Sequence, residues 1–313
     1  MRRMAAYSIG IDLGGTNLRA AAIDKNGEML EKIGGRTPLA EGPEPVVADM
    51  VRAVETLRAQ FGRDNLAGIA AGVPGNIDMA KGVIVGWGNM PIFNGYAMRD
   101  ELSKRLGTKV ILENDANAAA LGEQWMGAGR GVEDLVLLTL GTGVGGGIIV
   151  GGKVLHGHVG MAGELGHITV SPNGNPCGCG NRGCLEKHAS AMAVSAMARL
   201  LGLGHDVSAQ QVYELALRGN DRALEIFRVM GEALGIALAA LINIFNFPLY
   251  LLGGGVLGAW ELFAPAMLRE IDRRCYTYRS TLKIAPTRIE PAKLGSDAGL
   301  YGAACLPLED VRT

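Results

Sequence analysis

Residues 7–33 read YSIGIDLGGTNLRAAAIDKNGEMLEKI, and residues 135–155 read LVLLTLGTGVGGGIIVGGKVL. Each stretch opens with a short apolar run and breaks at a glycine–threonine turn, Gly14-Gly15-Thr16 or Gly141-Thr142-Gly143. It returns at once as a second apolar run, turns again at Lys25-Asn26-Gly27 or Gly151-Gly152, and enters a third. Short apolar runs bounded by such turns read as a three-stranded meander. The recurrence predicts an internal duplication, one meander per lobe.

Helical patterns lie between and after the copies. Residues 44–61 place apolar side chains three and four apart, with charges on the other face. Residues 66–75 and 109–115 read as strands, and ANAAALGEQWMG from Ala116 as a helix of strong formers. In the second half, 189–201, 208–218, 222–242 and 260–274 read as helices, PLYLLGGGV as a strand entering a glycine loop, and 296–306 as a terminal helix opened by a capping residue. Strands alternating with helices, together with meanders, predict an α/β protein with two mixed sheets. The expected division is residues 1–115 plus 296–313 for a smaller lobe and 116–295 for a larger one.

Composition narrows the class. At 313 residues the chain exceeds what one core usually organises. Hydrophobic residues at 48% and charged residues at 19% argue against disorder. Thirty basic against thirty-one acidic side chains leave a net charge of −1, so no global field draws in nucleic acid or anionic lipid. The amino terminus has no apolar run suited to a secretory signal. The uncharged stretch between Glu232 and Glu261 is interrupted by Asn243, Asn246, Pro248 and Gly253-Gly254-Gly255, which reads as buried helix, turn, strand and glycine loop rather than a membrane span. A soluble, cytoplasmic protein is expected.

The 47 glycines carry the chemistry. A glycine loop after a strand lets backbone amides point at a phosphate with no side chain in the way. Two such loops, at 12–16 and 141–147, are expected to grip a polyphosphate from opposite lobes. Asp12, at the end of the first strand, is placed to hold Mg²⁺ directly or through water, and Thr16 and Thr142 offer hydroxyls. Residues 141–146 also satisfy the dinucleotide pattern G-x-G-x-x-G, but that pattern needs a helix directly after it. Here Ile148-Ile149-Val150 and a glycine turn follow, so the dinucleotide reading fails on context.

Of five cysteines, Cys177, Cys179 and Cys184 crowd one glycine-rich loop. With His167 they form H-x9-C-x-C-x4-C, the donor set of a closed tetrahedral Cys₃His zinc site, structural because all four positions are filled. Zinc on one nitrogen would orient His167 and leave its other nitrogen to bond a ligand.

DLGGTNLR, the Glu113-Asn114-Asp115 trio, GTGVGGG, AGELGH and CGCGNRGCLE, in this order, resemble the ROK family (repressors, open reading frames and kinases), and within it the zinc-containing bacterial glucokinases. The resemblance runs from Ile9 to about Cys305. It implies the actin-like ATPase, ribonuclease H-like fold, two lobes around a cleft, and ATP-dependent phosphorylation of a hexose at its 6-hydroxyl, with glucose favoured. It implies Asp115 as catalytic base; Asn114, Glu164, His167 and Glu186, with Asn89 and the Gly75 backbone, as sugar ligands; and Gly14, Gly15, Thr16, Thr142, Gly143, Gly254 and Gly255 as nucleotide-phosphate contacts. It further implies a homodimer or homotetramer. The acceptor stays open among hexoses and N-acylmannosamine, and the donor between ATP and polyphosphate.

Plainer readings stand beside these. Asn114 and Asp115 precede an alanine-rich run, where an N-cap is the ordinary use for them; capping and catalysis can coexist. Glu164 and Glu186 alone read as solvated carboxylates and gain meaning from adjoining the metal-ligand candidates. His156, His158, His188 and His205 read as surface or structural. A sugar-sensing repressor needs a DNA-binding segment before the first strand, where about six residues stand.

Overall fold

A computed structural model describes residues 6–37, 39–88 and 90–308. Tyr7–Leu13 forms β1, buried along its whole length, as expected of a central strand covered on both faces. Asn17–Asp24 forms β2 and Met29–Arg36 forms β3, each antiparallel to its predecessor. The Asp24 carboxylate closes the second turn by accepting from the backbone N–H of Asn26 and of Glu28, each at 2.8 Å.

The chain then runs through helix α1 (Pro43–Phe61) into β4 (Leu66–Val73), parallel to β1. A small hairpin of β5 (Asn76–Asp78) and β6 (Val83–Gly86), helix α2 (Met98–Leu106) and strand β7 (Val110–Asn114) follow, with β7 parallel to β4. Helix α3 (Asp115–Met126) begins on the next residue. The first sheet is ordered β3-β2-β1-β4-β7.

The second copy supplies β8 (Leu135–Leu140), β9 (Val144–Val150) and β10 (Lys153–Val154). Helices α4 (Glu186–Ala189), α5 (Ala191–Leu200), α6 (Ala209–Leu217) and α7 (Asp221–Phe245) lead to β11 (Leu249–Gly253). Helices α8 (Trp260–Arg274) and α9 (Tyr276–Thr281), strand β12 (Arg288–Pro291) and helix α10 (Ala298–Cys305) complete the described chain. The second sheet is ordered β10-β9-β8-β11-β12, with β8, β11 and β12 parallel. Both sheets therefore place meander strands and crossover strands in the same sequence, which is the duplication expected from the two glycine–threonine turns.

The chain divides into two compact units. One comprises the run to Glu133, Gly147–Gly163 and the run from Ser296; the other comprises Asp134–Gly146 and Glu164–Gly295. No helix among the described residues is long and apolar enough to cross a membrane; α7 stops at Asn246, which takes the left-handed conformation at φ 50°. Phe263 is buried in the second unit, whereas Tyr276 is exposed.

In the first unit, β1 is two-faced. Tyr7, Ile9, Ile11 and Leu13 share a core with Val46, Val47, Met50, Val54 and Leu57 of α1. Ser8, Gly10 and Asp12 face α10: Ser8 Oγ donates to the Ala304 carbonyl at 2.6 Å, and a Cβ on Gly10 would lie 2.7 Å from the Ala304 nitrogen. Small residues stand at 8 and 10 because a helix lies almost on the strand. Helices α3 and α10 cross as closely, since a Cβ on Gly302 would run into the Ala118 carbonyl. Gly302→Ala is expected to destabilise by about 1–3 kcal/mol, the usual cost of overpacking. Thermal unfolding checks this; an unchanged midpoint would mean that the helices part at no cost.

Two local expectations change. The residue expected to cap the terminal helix, Ser296, lies in a 3-10 turn (Gly295–Asp297); α10 opens after Asp297, whose side chain makes no cap and pairs with Lys32 at 2.9 Å and Arg19 at 3.8 Å. The β5–β6 hairpin, α2, α9 and β12 were not expected. In α2 only Met98, Leu102 and Leu106 are buried, a stripe too thin to stand out among charges.

Candidate active site and metal centre

In the first unit the site elements lie at the carboxyl ends of parallel strands, where α/β sheets commonly bind ligands. One row of the sheet runs Arg19, Asp12, Gly72, Glu113 across β2, β1, β4 and β7. Cross-strand register explains the first pairing. Arg19 stands opposite Asp12, and its guanidinium donates to Asp12 Oδ2 at 2.6 Å. Burial pushes the Asp12 carboxyl above the ordinary aspartate range; Arg19 pulls against that, and Asp297 adds to it. Arg19 escaped the sequence reading, although counting outward from the Gly14–Thr16 turn would have found it.

The Gly14–Thr16 turn links β1 to β2 through a bond from Gly14 N–H to the Asn17 carbonyl at 2.8 Å. Gly15 and Thr16 are exposed, and nothing occupies the space a Cβ on Gly15 would take. Exposed amides and a hydroxyl after a buried strand fit a phosphate.

Strand β7 delivers Asn114 and Asp115 to the start of α3. The expected cap is present: Asn114 Oδ1 accepts from the N–H of Ala116 at 2.9 Å and of Asn117 at 3.2 Å. Asn114 Nδ2 donates to the Gly75 carbonyl at 3.2 Å, so those two candidates meet. Gly75 sits at φ 90°, and a Cβ there would come 2.6 Å from the Gly86 carbonyl; both facts require glycine. Asp115 Oδ1 accepts from Ala116 N–H at 2.8 Å. Gly72 lets α3 pack close after this junction, since a Cβ there would lie 3.2 Å from the Ala118 Cβ. Asn89 lies outside the described residues.

In the second unit the Gly141–Gly143 turn is closed by Gly141 N–H on the Gly143 carbonyl at 3.0 Å. Thr142 is exposed at its tip. Gly254 follows β11 at φ 91° and packs on the Leu140 backbone, a Cβ lying 2.7 Å from its nitrogen; Gly255 is open beside it. The glycines of the two strand ends thus stand together. Glu186 joins them: its Oε2 accepts from Val144 N–H at 3.1 Å.

His167, Cys177, Cys179 and Cys184 converge, one ligand atom from each lying within 4.8 Å of all the others. His167 Nδ1 is 3.7 Å from Cys177 Sγ, and Cys179 and Cys184 sulfurs are 3.6 Å apart, so these are free thiols rather than a disulfide. Burial pushes the Cys184 thiol up to about 12, and the neighbouring sulfurs add to that. Three sulfurs so crowded call for a cation, and the donor set fits Zn²⁺. The other nitrogen of His167, Nε2, faces Glu164 at 3.8 Å. Cluster and sugar-ligand candidates therefore occupy opposite edges of one imidazole.

Glu113, named only as the first residue of its motif, and His156, read as surface or structural, pair at 2.7 Å between Oε2 and Nε2.

The model of the ROK family matches residues 8–310. A glucokinase from Thermotoga maritima is 37% identical, over 97% of this chain and 98% of that protein. The crystal structure of a ROK hexokinase from Thermus thermophilus superposes with a TM-score of 0.86 at 37% identity, over 98% of this chain and 99% of that one. A ROK family glucokinase from Streptomyces griseus, solved in complex with glucose and AMPPNP, gives 0.79 at 34% identity, over 96% and 99%. Matched along nearly its whole length by the family model and by such relatives, the chain belongs to the ROK family.

Proposed function

We propose that this protein transfers the terminal phosphoryl group of ATP to the 6-hydroxyl of a hexose, with glucose as the favoured acceptor. The observation that carries the reading is Asp115. In a chain matched end to end to glucokinases, it stands at a strand-to-helix junction whose backbone is pinned by the Asn114 cap and the Asn114–Gly75 bond. A base must be aimed before its strength matters. Asp115 accepts the proton of the attacking hydroxyl.

Asn114, Gly75, Glu164, His167 and Glu186 are the hydroxyl ligands; carboxylates, an amide and an imidazole together match groups that both donate and accept. The amides and hydroxyls of Gly14–Thr16, Thr142–Gly143 and Gly254–Gly255 receive phosphate oxygens. Asp12 would hold a nucleotide-bound Mg²⁺, whose chemistry there is to neutralise phosphate charge. Arg19 occupies Asp12 Oδ2, and an ion that keeps most of its waters asks for little more than the remaining oxygen. His167, Cys177, Cys179 and Cys184 would hold a structural Zn²⁺.

The test is ADP release over a panel of glucose, mannose, fructose, allose and N-acetylmannosamine, with ATP and polyphosphate as donors, alongside a metal determination. The expected result is the highest kcat/KM for glucose with ATP, and one zinc per chain. A protein that releases ADP with no sugar overturns the reading.

A further inference from the structure

Beneath the Asn114–Asp115 junction, the first unit buries a carboxylate that the reaction above leaves unused. Glu113 is 1% exposed. Its Oε1 accepts from Asn114 N–H at 2.9 Å and from Asn117 Nδ2 at 3.0 Å, residues on either side of Asp115. Its Oε2 meets His156 Nε2 at 2.7 Å. His156 reaches it from the segment after β10, whose loop is closed by Ala162 N–H on the His156 carbonyl at 3.1 Å.

A carboxylate this deep is costly unless donors meet its oxygens. The three bonds have separate roles, two holding the strand-to-helix turn and the third fixing the carboxylate that holds them. We propose that His156 is a positioning residue for phosphoryl transfer, acting through Glu113 on the turn that carries Asp115. This rests on the kinase reading. Glu113, from β7, is the charged group that faces His156, and its hydrogen bond holds the imidazole above the ordinary histidine range against burial, which pulls it down. The neighbouring polar group from α3, Asn117, is uncharged.

The full-length enzyme with its metal tests this through His156→Leu, His156→Gln and Glu113→Gln. His156→Leu is expected to lower kcat about tenfold or more and to raise KM for the sugar while KM for ATP stays within about twofold. His156→Gln, which keeps an N–H donor, is expected to recover most of kcat. Simple loss of folded protein would lower apparent kcat and leave both KM values alone. His156→Leu with wild-type kinetics, or a fall in kcat with unmoved sugar KM and no recovery in His156→Gln, overturns the proposal.

A readout free of turnover covers a leucine variant that fails to fold. The His156 ring proton, followed by NMR, is expected to titrate above about 6.5 in the wild type and lower in Glu113→Gln. An ordinary value in both overturns the pairing itself. A wild type that phosphorylates no sugar, yet shows the raised titration, instead overturns the kinase reading.

Discussion

Asp115→Asn will phosphorylate the preferred hexose about 10²–10⁴ times more slowly than the wild type, the usual loss when a general base is removed. At about 1.36 kcal/mol per decade, that is a transition-state loss of roughly 3–5 kcal/mol. The fold will not share it. Asparagine keeps an Oδ1 in the position that accepts from Ala116 N–H, and the cap on α3 belongs to Asn114. Thermal midpoint and zinc content are therefore expected to match the wild type, and KM for ATP to stay put. Asn114→Ala gives the contrast: removing a cap costs about 0.5–2 kcal/mol of stability, so that variant melts earlier. Steady-state kinetics with thermal unfolding of both variants separates the roles, and near-normal turnover in Asp115→Asn would refute the assignment.

Removing the zinc proposed for the Cys₃His cluster is expected to have the second large effect. Zinc binding in small Cys/His sites contributes about 10–16 kcal/mol of apparent free energy, as much as or more than the about 5–15 kcal/mol that keeps a whole domain folded. The loop around Cys177–Cys184 is otherwise held by backbone bonds such as Cys177 N–H on the Asn181 carbonyl and Gly183 N–H on the Asn175 carbonyl, each at 2.8 Å, and it carries few buried apolar side chains. Cys184→Ala, or exhaustive chelation, is expected to release the metal, open residues 171–183 to proteolysis and lower the thermal midpoint. His167 would lose what orients Nδ1, and Nε2 with it, so kcat/KM for the sugar should fall about 10–100-fold, the range seen when a metal site's supporting shell is disturbed. Zinc should restore the chelated protein but not the variant. Stoichiometric metal in Cys184→Ala, or an unchanged sugar KM in metal-free protein, would sink the assignment.

The two effects differ in kind. On the proposed reading, losing Asp115 removes a group that acts on the reacting hydroxyl and leaves the scaffold intact, whereas losing a cysteine loosens the scaffold and reaches the sugar only through one imidazole. A screen that measures activity alone would confuse them, and one that adds metal content and melting would not.

The parts legible in the sequence share a property: each is written in contiguous residues. The meanders were readable because an apolar strand, a glycine turn and a returning strand are local, and they set the first three strands of each sheet; the crossover strands beside them are joined by tertiary pairing. The thiol cluster was readable because a ligand needs a particular atom type at short spacing, and H-x9-C-x-C-x4-C supplies it. Asp115 and its cap stand side by side.

What the tertiary structure decided is every partnership across distant chain segments. Asp12 looked like a cation ligand and nothing more until the hairpin register set Arg19 against it. Glu186 adjoins the cysteine loop in sequence, yet its carboxylate goes to the Val144 amide. The terminal helix was expected to open on Ser296 as its cap; it opens after Asp297, which caps nothing and pairs with Lys32 across 265 positions. Glu113 read as the prefix of a motif and His156 as surface or structural, until folding set the half-buried imidazole against the buried carboxylate, 43 positions apart. Local pattern specifies elements because strand and helix periods are properties of the backbone. It cannot specify which buried charge meets which donor, because that depends on packing distances between elements, and those are set only when the sheet and its covering helices close on one another.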